Sequence, residues 1–323
     1  MAASPRSSII LDPTQPKDKK NGKVPSNKTD GQVKEEIKLL MLHGMCMVII
    51  ANYMSLCFLD AYERMKGYTQ SGPLFRAKTR AMEKLLVKLL APINLVPRLT
   101  YPTAPIKLST QDIPGYESNG QDDDEPEAYA WFRKNAATGE YMHFEQGMQA
   151  VADAVKECEG GVDGIIGFSQ GGAVAAMIAA AMEASRNVPA SHSHWVEALR
   201  VANGGRRFRF AVVYSGFWAP PQDLQWLYEP HIETPTMHFL GSLDSVVVEE
   251  RSTALIQRCK DTRVATHPGG HYVPVSREWV SALCTFVREI MASSMTDGRK
   301  ISGKTRKSET QGETDDDPFA AFD

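Results

Sequence analysis

Apolar positions along this chain follow two alternating rhythms. Short segments that are apolar at nearly every position, residues 37–42, 162–168, 208–214, 236–241 and 263–267, predict buried strands, and 98–101 is a further short apolar segment. Between them the spacing turns helical over 76–90, 144–158, 173–182 and 246–260, and another helix is expected from about residue 275. Strands that are apolar on both sides and alternate with helices indicate βαβ units. They predict an α/β fold with a mostly parallel central sheet and helices on both faces.

One connection in this pattern carries chemistry. Gly167-Phe168-Ser169-Gln170-Gly171 joins a predicted strand to an alanine-rich helix and fits the G-x-S-x-G nucleophile elbow. A sharp strand-to-helix turn needs residues without a Cβ, which Gly167, Gly171 and Gly172 supply. Ser169 would then stand above the sheet edge, beside helix N–H groups that can bind a developing oxyanion. Read blandly, the same glycines serve tight packing alone.

An elbow serine needs a base and a group that orients the base, and on such scaffolds these follow in the order Ser, Asp or Glu, then His. Asp244 lies in the loop after the 236–241 strand, at the sheet end where parallel strands gather ligands and catalytic groups. Its plain alternative is an N-cap for the helix predicted over 246–260. His271 follows Gly269-Gly270, a hinge that lets its loop turn back toward the elbow. His267 is the rival, but it ends a strand and precedes a proline. His192 and His194 fall in a polar connection, His231 in a loop beside Pro230, and His238 in mid-strand.

With 323 residues, 42% of them hydrophobic, the chain has material for one large α/β domain or two small ones. A net charge of −3 gives no reason to expect nucleic acid as a partner. The basic stretch Lys17 to Lys28 lacks hydrophobic periodicity, so residues 1–33 are expected to form a disordered arm. The ordered domain is placed at 34–292. Residues 293–323 are expected to be a disordered tail, whose acidic end with Phe319 and Phe322 has a short docking peptide as its alternative reading. No secretory signal or membrane span stands out, and five irregularly spaced cysteines suit free thiols rather than metal ligands, so a cytoplasmic location is expected.

Four segments together, Leu39-Leu40-Met41-Leu42-His43-Gly44, Gly67 to Thr79, Gly167-Phe168-Ser169-Gln170-Gly171-Gly172 and Gly269-Gly270-His271, resemble the FSH family of serine hydrolases. That family contains small α/β-hydrolase esterases, among them fungal enzymes that release polyketides from their synthases and an ovarian-tumour-associated homologue. The resemblance implies an α/β-hydrolase fold, a Ser169, Asp244, His271 triad, and hydrolysis of carboxylic esters or thioesters without cofactor or metal. The substrate is expected to be a small-molecule ester or thioester. A thioesterase partnered with a biosynthetic synthase is the alternative, with phosphopantetheine or coenzyme A as the leaving group.

The chain departs from the family between Gly44 and Tyr68. Joining those two restores a continuous His-Gly-Tyr-Thr-Gln-Ser-Gly segment, so residues 45–67 are read as an insertion, either a translated intron or a lid helix. The choice matters for the oxyanion hole. Gln170 is expected to supply one backbone N–H, and the residue after Gly44 the other: Tyr68 without the insertion, Met45 with it. An insertion that displaces this loop would leave a weak enzyme or a non-catalytic binding protein. Substrate choice is placed between Pro102 and Met142, where Trp131-Phe132 are candidate pocket walls, with Phe217-Trp218 as a second pair; packing is the equal alternative for these aromatic residues. The acidic run Asp122 to Glu125 reads as a solvated loop.

Overall fold

Six parallel strands form the centre of the molecule, which is described by a computed structural model over residues 34–44, 71–109 and 127–305. They are β1 (Glu35–Leu42), β2 (Leu95–Thr100), β3 (Gly164–Phe168), β4 (Phe210–Tyr214), β5 (Thr236–Gly241) and β6 (Thr262–His267). Their spatial order is β6-β5-β4-β3-β1-β2. β3 and β4 are buried at every position, as a sheet covered on both sides requires. Alternate residues of β1 show the two sides: Ile37, Leu39 and Met41 enter one apolar cluster, Leu40 and Leu42 the other.

Two helices cover the first face. α1 (Gly72–Leu90) contributes Phe75, Met82, Leu86 and Leu90, a stripe at helical spacing. α6 (Arg277–Thr305) adds Val280, Leu283 and Val287 beside it. The opposite face carries α2 (Phe144–Glu157), α3 (Gln170–Ala181) and α4 (Ser193–Ala202). α3 is buried on every side, because alanine and glycine let strands and neighbouring helices approach all round it. α5 (Glu249–Ile256) anchors Leu255 in the same cluster.

Chain order fixes where a site can form. From β1 the chain passes to the edge strand β2, then returns to β3 on the other side of β1. The helices that follow β1 and β3 leave on opposite faces, so their connections part above the carboxyl ends of these strands. That switch point is where parallel sheets bind ligands.

Some elements differ from expectation. The helix predicted over 246–260 is shorter, Glu249–Ile256, because Asp244 first ties the backbone into a turn. The polar connection around His194 is instead the amphipathic helix α4, which buries Trp195, Val196 and Leu199 behind a Ser-His-Ser-His opening that hides the pattern. α6 keeps a helical backbone to Thr305, past the loss of periodicity at Ser293. Tyr68, the insertion 45–67, the arm 1–33 and the acidic run Asp122 to Glu125 lie outside the described residues.

Candidate active site

Ser169 sits between β3 and α3 with φ 53° and ψ −117°, a conformation that side-chain-bearing residues rarely hold. Its N–H donates to the Tyr214 carbonyl at 2.8 Å, and its own carbonyl accepts from Ala173 N–H at 3.1 Å. The turn closes only because two glycines lack side chains. A Cβ on Gly167 would run into the Gly171 carbonyl, and one on Gly171 into the Leu42 carbonyl. Close approach, rather than an unusual backbone angle, is what selects glycine there.

Asp244 and His271 come from the loops after β5 and β6, which are neighbours in register. The loops are laced together by Ser242 N–H to His267 O at 2.9 Å and Leu243 N–H to Gly269 O at 3.0 Å. His271 Nδ1 lies 2.8 Å from Asp244 Oδ2, and both side chains are buried. Asp244 Oδ1 accepts the N–H groups of Val246 and Val247 at 3.0 and 2.9 Å. Burial alone would raise this carboxyl's pKa. The hydrogen bond and charge of His271, with the Val247 N–H, outweigh burial and hold it below the usual carboxylate range.

With Nδ1 facing a carboxylate, the imidazole proton belongs on Nδ1 and the lone pair on Nε2. Nε2 is buried and makes no hydrogen bond among the described residues. The ring lies 4.8 Å from that of Phe168, the residue just before Ser169. His267, the rival, packs its ring between Tyr272 at 4.9 Å and Trp279 at 5.9 Å. Burial lowers its pKa, and Asp244 offsets this only in part. It serves the core.

Trp131 and Phe132 take other places than walls of an open pocket. Trp131 is fully buried and donates its indole N–H to the His43 carbonyl at 2.9 Å, while Phe132 stacks on Tyr141 at 4.0 Å. Phe217 lies under the Arg251 guanidinium and Trp218 under that of Arg258. His43, at the end of β1, was not singled out as a functional residue by its sequence, although His43-Gly44 is a recognisable strand-ending pair. Burial lowers its pKa to about 4, so the ring is neutral. Among the described residues no cluster of His, Cys, Asp and Glu has the makings of a metal site. No helix among them is long and apolar enough to cross a membrane.

A parallel sheet with a serine on a strained strand-to-helix turn after β3, and an aspartate–histidine pair in the loops after β5 and β6, defines an α/β hydrolase. Residues 64–283 match the family model described as serine hydrolase (FSH1), and the chain belongs to that family. It is 31% identical over 224 residues to Esterase OVCA2 of Danio rerio, covering 65% of this chain and 88% of that protein. It is 28% identical over 244 residues to a Schizosaccharomyces pombe protein named dihydrofolate reductase, covering 72% of this chain and 47% of that one. With the uncharacterized hydrolase C22A12.06c of the same yeast, covered over 49% of its length, this means that the chain spans about half the length of two of the relatives it matches. Among solved structures, Zea mays acyl-protein thioesterase 2 superposes with a TM-score of 0.44 at 16% identity, over 82% of this chain and 96% of that one.

Proposed function

We propose that the protein hydrolyses carboxylic esters or thioesters of small molecules through an acyl-enzyme on Ser169. The observation that carries this reading is the buried Asp244–His271 hydrogen bond of 2.8 Å, with the Nε2 of His271, unpartnered among the described residues, on a ring beside an elbow whose serine is held at positive φ. Ser169 Oγ attacks the carbonyl carbon as His271 Nε2 takes its proton. Asp244 holds the tautomer and stabilises the imidazolium. The tetrahedral oxyanion is bound by the Gln170 N–H, one of the first in α3 and so without an intrahelical acceptor, and by the N–H that follows Gly44. Collapse expels the alcohol or thiol, which leaves with the proton from His271. Water then repeats the sequence, and the acid departs.

No cofactor enters this scheme. Oxoesters and thioesters pass through the same steps, so a synthase-bound thioester is compatible with the same residues. Labelling with a fluorophosphonate probe tests the reading: the wild type takes the label on Ser169 and the Ser169→Ala variant takes none. A wild type that stays unlabelled overturns the proposal and leaves a binding protein on a hydrolase scaffold. Turnover of p-nitrophenyl esters of graded chain length, beside matched thioesters, then defines the preferred acyl group.

A further inference from the structure

We propose that the side chain of Gln170 is a positioning residue for the His43–Gly44 peptide packed over Ser169, acting through Trp131. The inference rests on the hydrolase reading above. Gln170 Oε1 accepts the Trp131 N–H at 2.7 Å, and Nε2 donates to the Phe132 carbonyl at 2.8 Å, both in the buried interior. A carboxamide offers a donor and an acceptor in a single plane, so it grips the N–H of one residue and the carbonyl of the next at once. Glutamate in its charged form has no donor, and an aliphatic chain would orphan both buried backbone groups.

The gripped segment reaches the other half of the site. Trp131 packs its backbone carbonyl against Gly147 of α2, where a Cβ has no room, and its indole N–H reaches His43 O at 2.9 Å. His43 is fixed independently. The Ala104 N–H donates to its Nε2 at 2.9 Å, which puts the ring proton on Nδ1, 3.2 Å from the Gly44 carbonyl. The carbonyls of His43 and Gly44 thus each face a held donor. Because peptide units are planar and trans, the His43 carbonyl held by Trp131 also fixes the direction of the Gly44 N–H.

This loop lies directly over the nucleophile. A Cβ built on Gly44 would stand 2.7 Å from Ser169 Cβ. Gln170 therefore acts twice: its backbone N–H is one expected oxyanion donor, and its side chain holds the His43–Gly44 peptide against Ser169. Misplacing a nucleophile by a fraction of an ångström raises the barrier for the transition state more than it weakens substrate binding.

Gln170→Met keeps the length and removes both side-chain hydrogen bonds, while Trp131→Phe keeps most of the volume and removes only the bond to His43. Each is to be purified as the full chain and compared with wild type for kcat and KM on a short p-nitrophenyl ester and for the rate of fluorophosphonate labelling. We expect kcat and the labelling rate to fall tenfold or more in both variants, with KM within about threefold. Inhibition by a trifluoromethyl ketone should weaken in parallel with kcat/KM. Hydrogen exchange at the Trp131 indole, followed by NMR, should speed up in Gln170→Met. Folded variants with unchanged kcat, or with KM raised at constant kcat, overturn the inference. If Gln170→Met does not fold, Trp131→Phe alone decides. An unlabelled wild type defeats the hydrolase reading instead; indole exchange unchanged in Gln170→Met then defeats the clamp as well.

Discussion

The carboxylate of Asp244 divides its work between two partners: Oδ2 faces His271 Nδ1 at 2.8 Å, and Oδ1 holds the backbone at Val246 and Val247. The turn that precedes α5 and the orientation of the imidazole are thus served by one side chain. Asp244→Asn can keep the turn through its Oδ1 while presenting an amide N–H to Nδ1, which forces the proton onto Nε2. We expect kcat to drop about 10⁴-fold with little loss of melting temperature. Steady-state kinetics beside a thermal scan checks both.

Ser169 holds positive φ at a cost. Glycine at this position relieves the strain, so Ser169→Gly should raise stability by about 1 kcal/mol while abolishing ester turnover. A urea titration of the variant against Ser169→Ala measures it. Equal midpoints for the two would show that the strain is absent.

Acid should destabilise the fold early. His43 and His238 are buried, and their pKa values are lowered from 6.5 to about 4 and about 3. In the unfolded chain both take up protons near pH 6.5, whereas the folded chain keeps them neutral. Their stabilising contribution is therefore complete above pH 6.5 and declines as pH falls toward the folded values, by about 1.4 kcal/mol per unit for each histidine. Chemical denaturation from pH 7.5 to 4.5 should show this slope, and His238→Gln should flatten it.

Away from the site, Arg186 Nη2 pairs with Glu183 Oε2 at 2.6 Å, buried. Glu183 Oε1 also accepts from the N–H groups of Glu233 and Thr234, each at 2.8 Å. Glu183→Ala leaves a buried guanidinium without its partner and should cost about 3–5 kcal/mol. The denaturation midpoint reports the loss. No shift would mean that water replaces the carboxylate.

Residues 45–67 interrupt the segment expected to supply the second oxyanion donor, and the family match begins only at residue 64 although β1 lies inside the sheet. A chain lacking 45–67 joins Gly44 to Tyr68. If it restores that donor, kcat should rise by on the order of a hundredfold. Sequencing of the mature message tests whether those codons are translated, and kinetics of the shortened chain tests what they do.

Much of this architecture was legible because the strands are apolar on both sides, and such runs have little other use. That Asp244 and His271 meet follows from sheet order, since each ends a loop after one of two adjacent strands, β5 and β6. α4 was not legible, because Ser193 and His194 mask a helix whose buried side is only Trp195, Val196 and Leu199. The place of Trp131 was open for a different reason. An aromatic residue near the expected site reads equally well as a pocket wall, and only the partner of its indole N–H tells that it works on the backbone just past β1.

Alanine and glycine on every side of α3 have a consequence for how this scaffold diversifies. A helix that touches protein all round has no spare volume, so larger residues there would break the packing that seats Ser169. New substrate preferences must come instead from connections at the rim, where length and composition vary without disturbing the centre. Ser169 is a fixed fitting, and selection refurnishes the room around it.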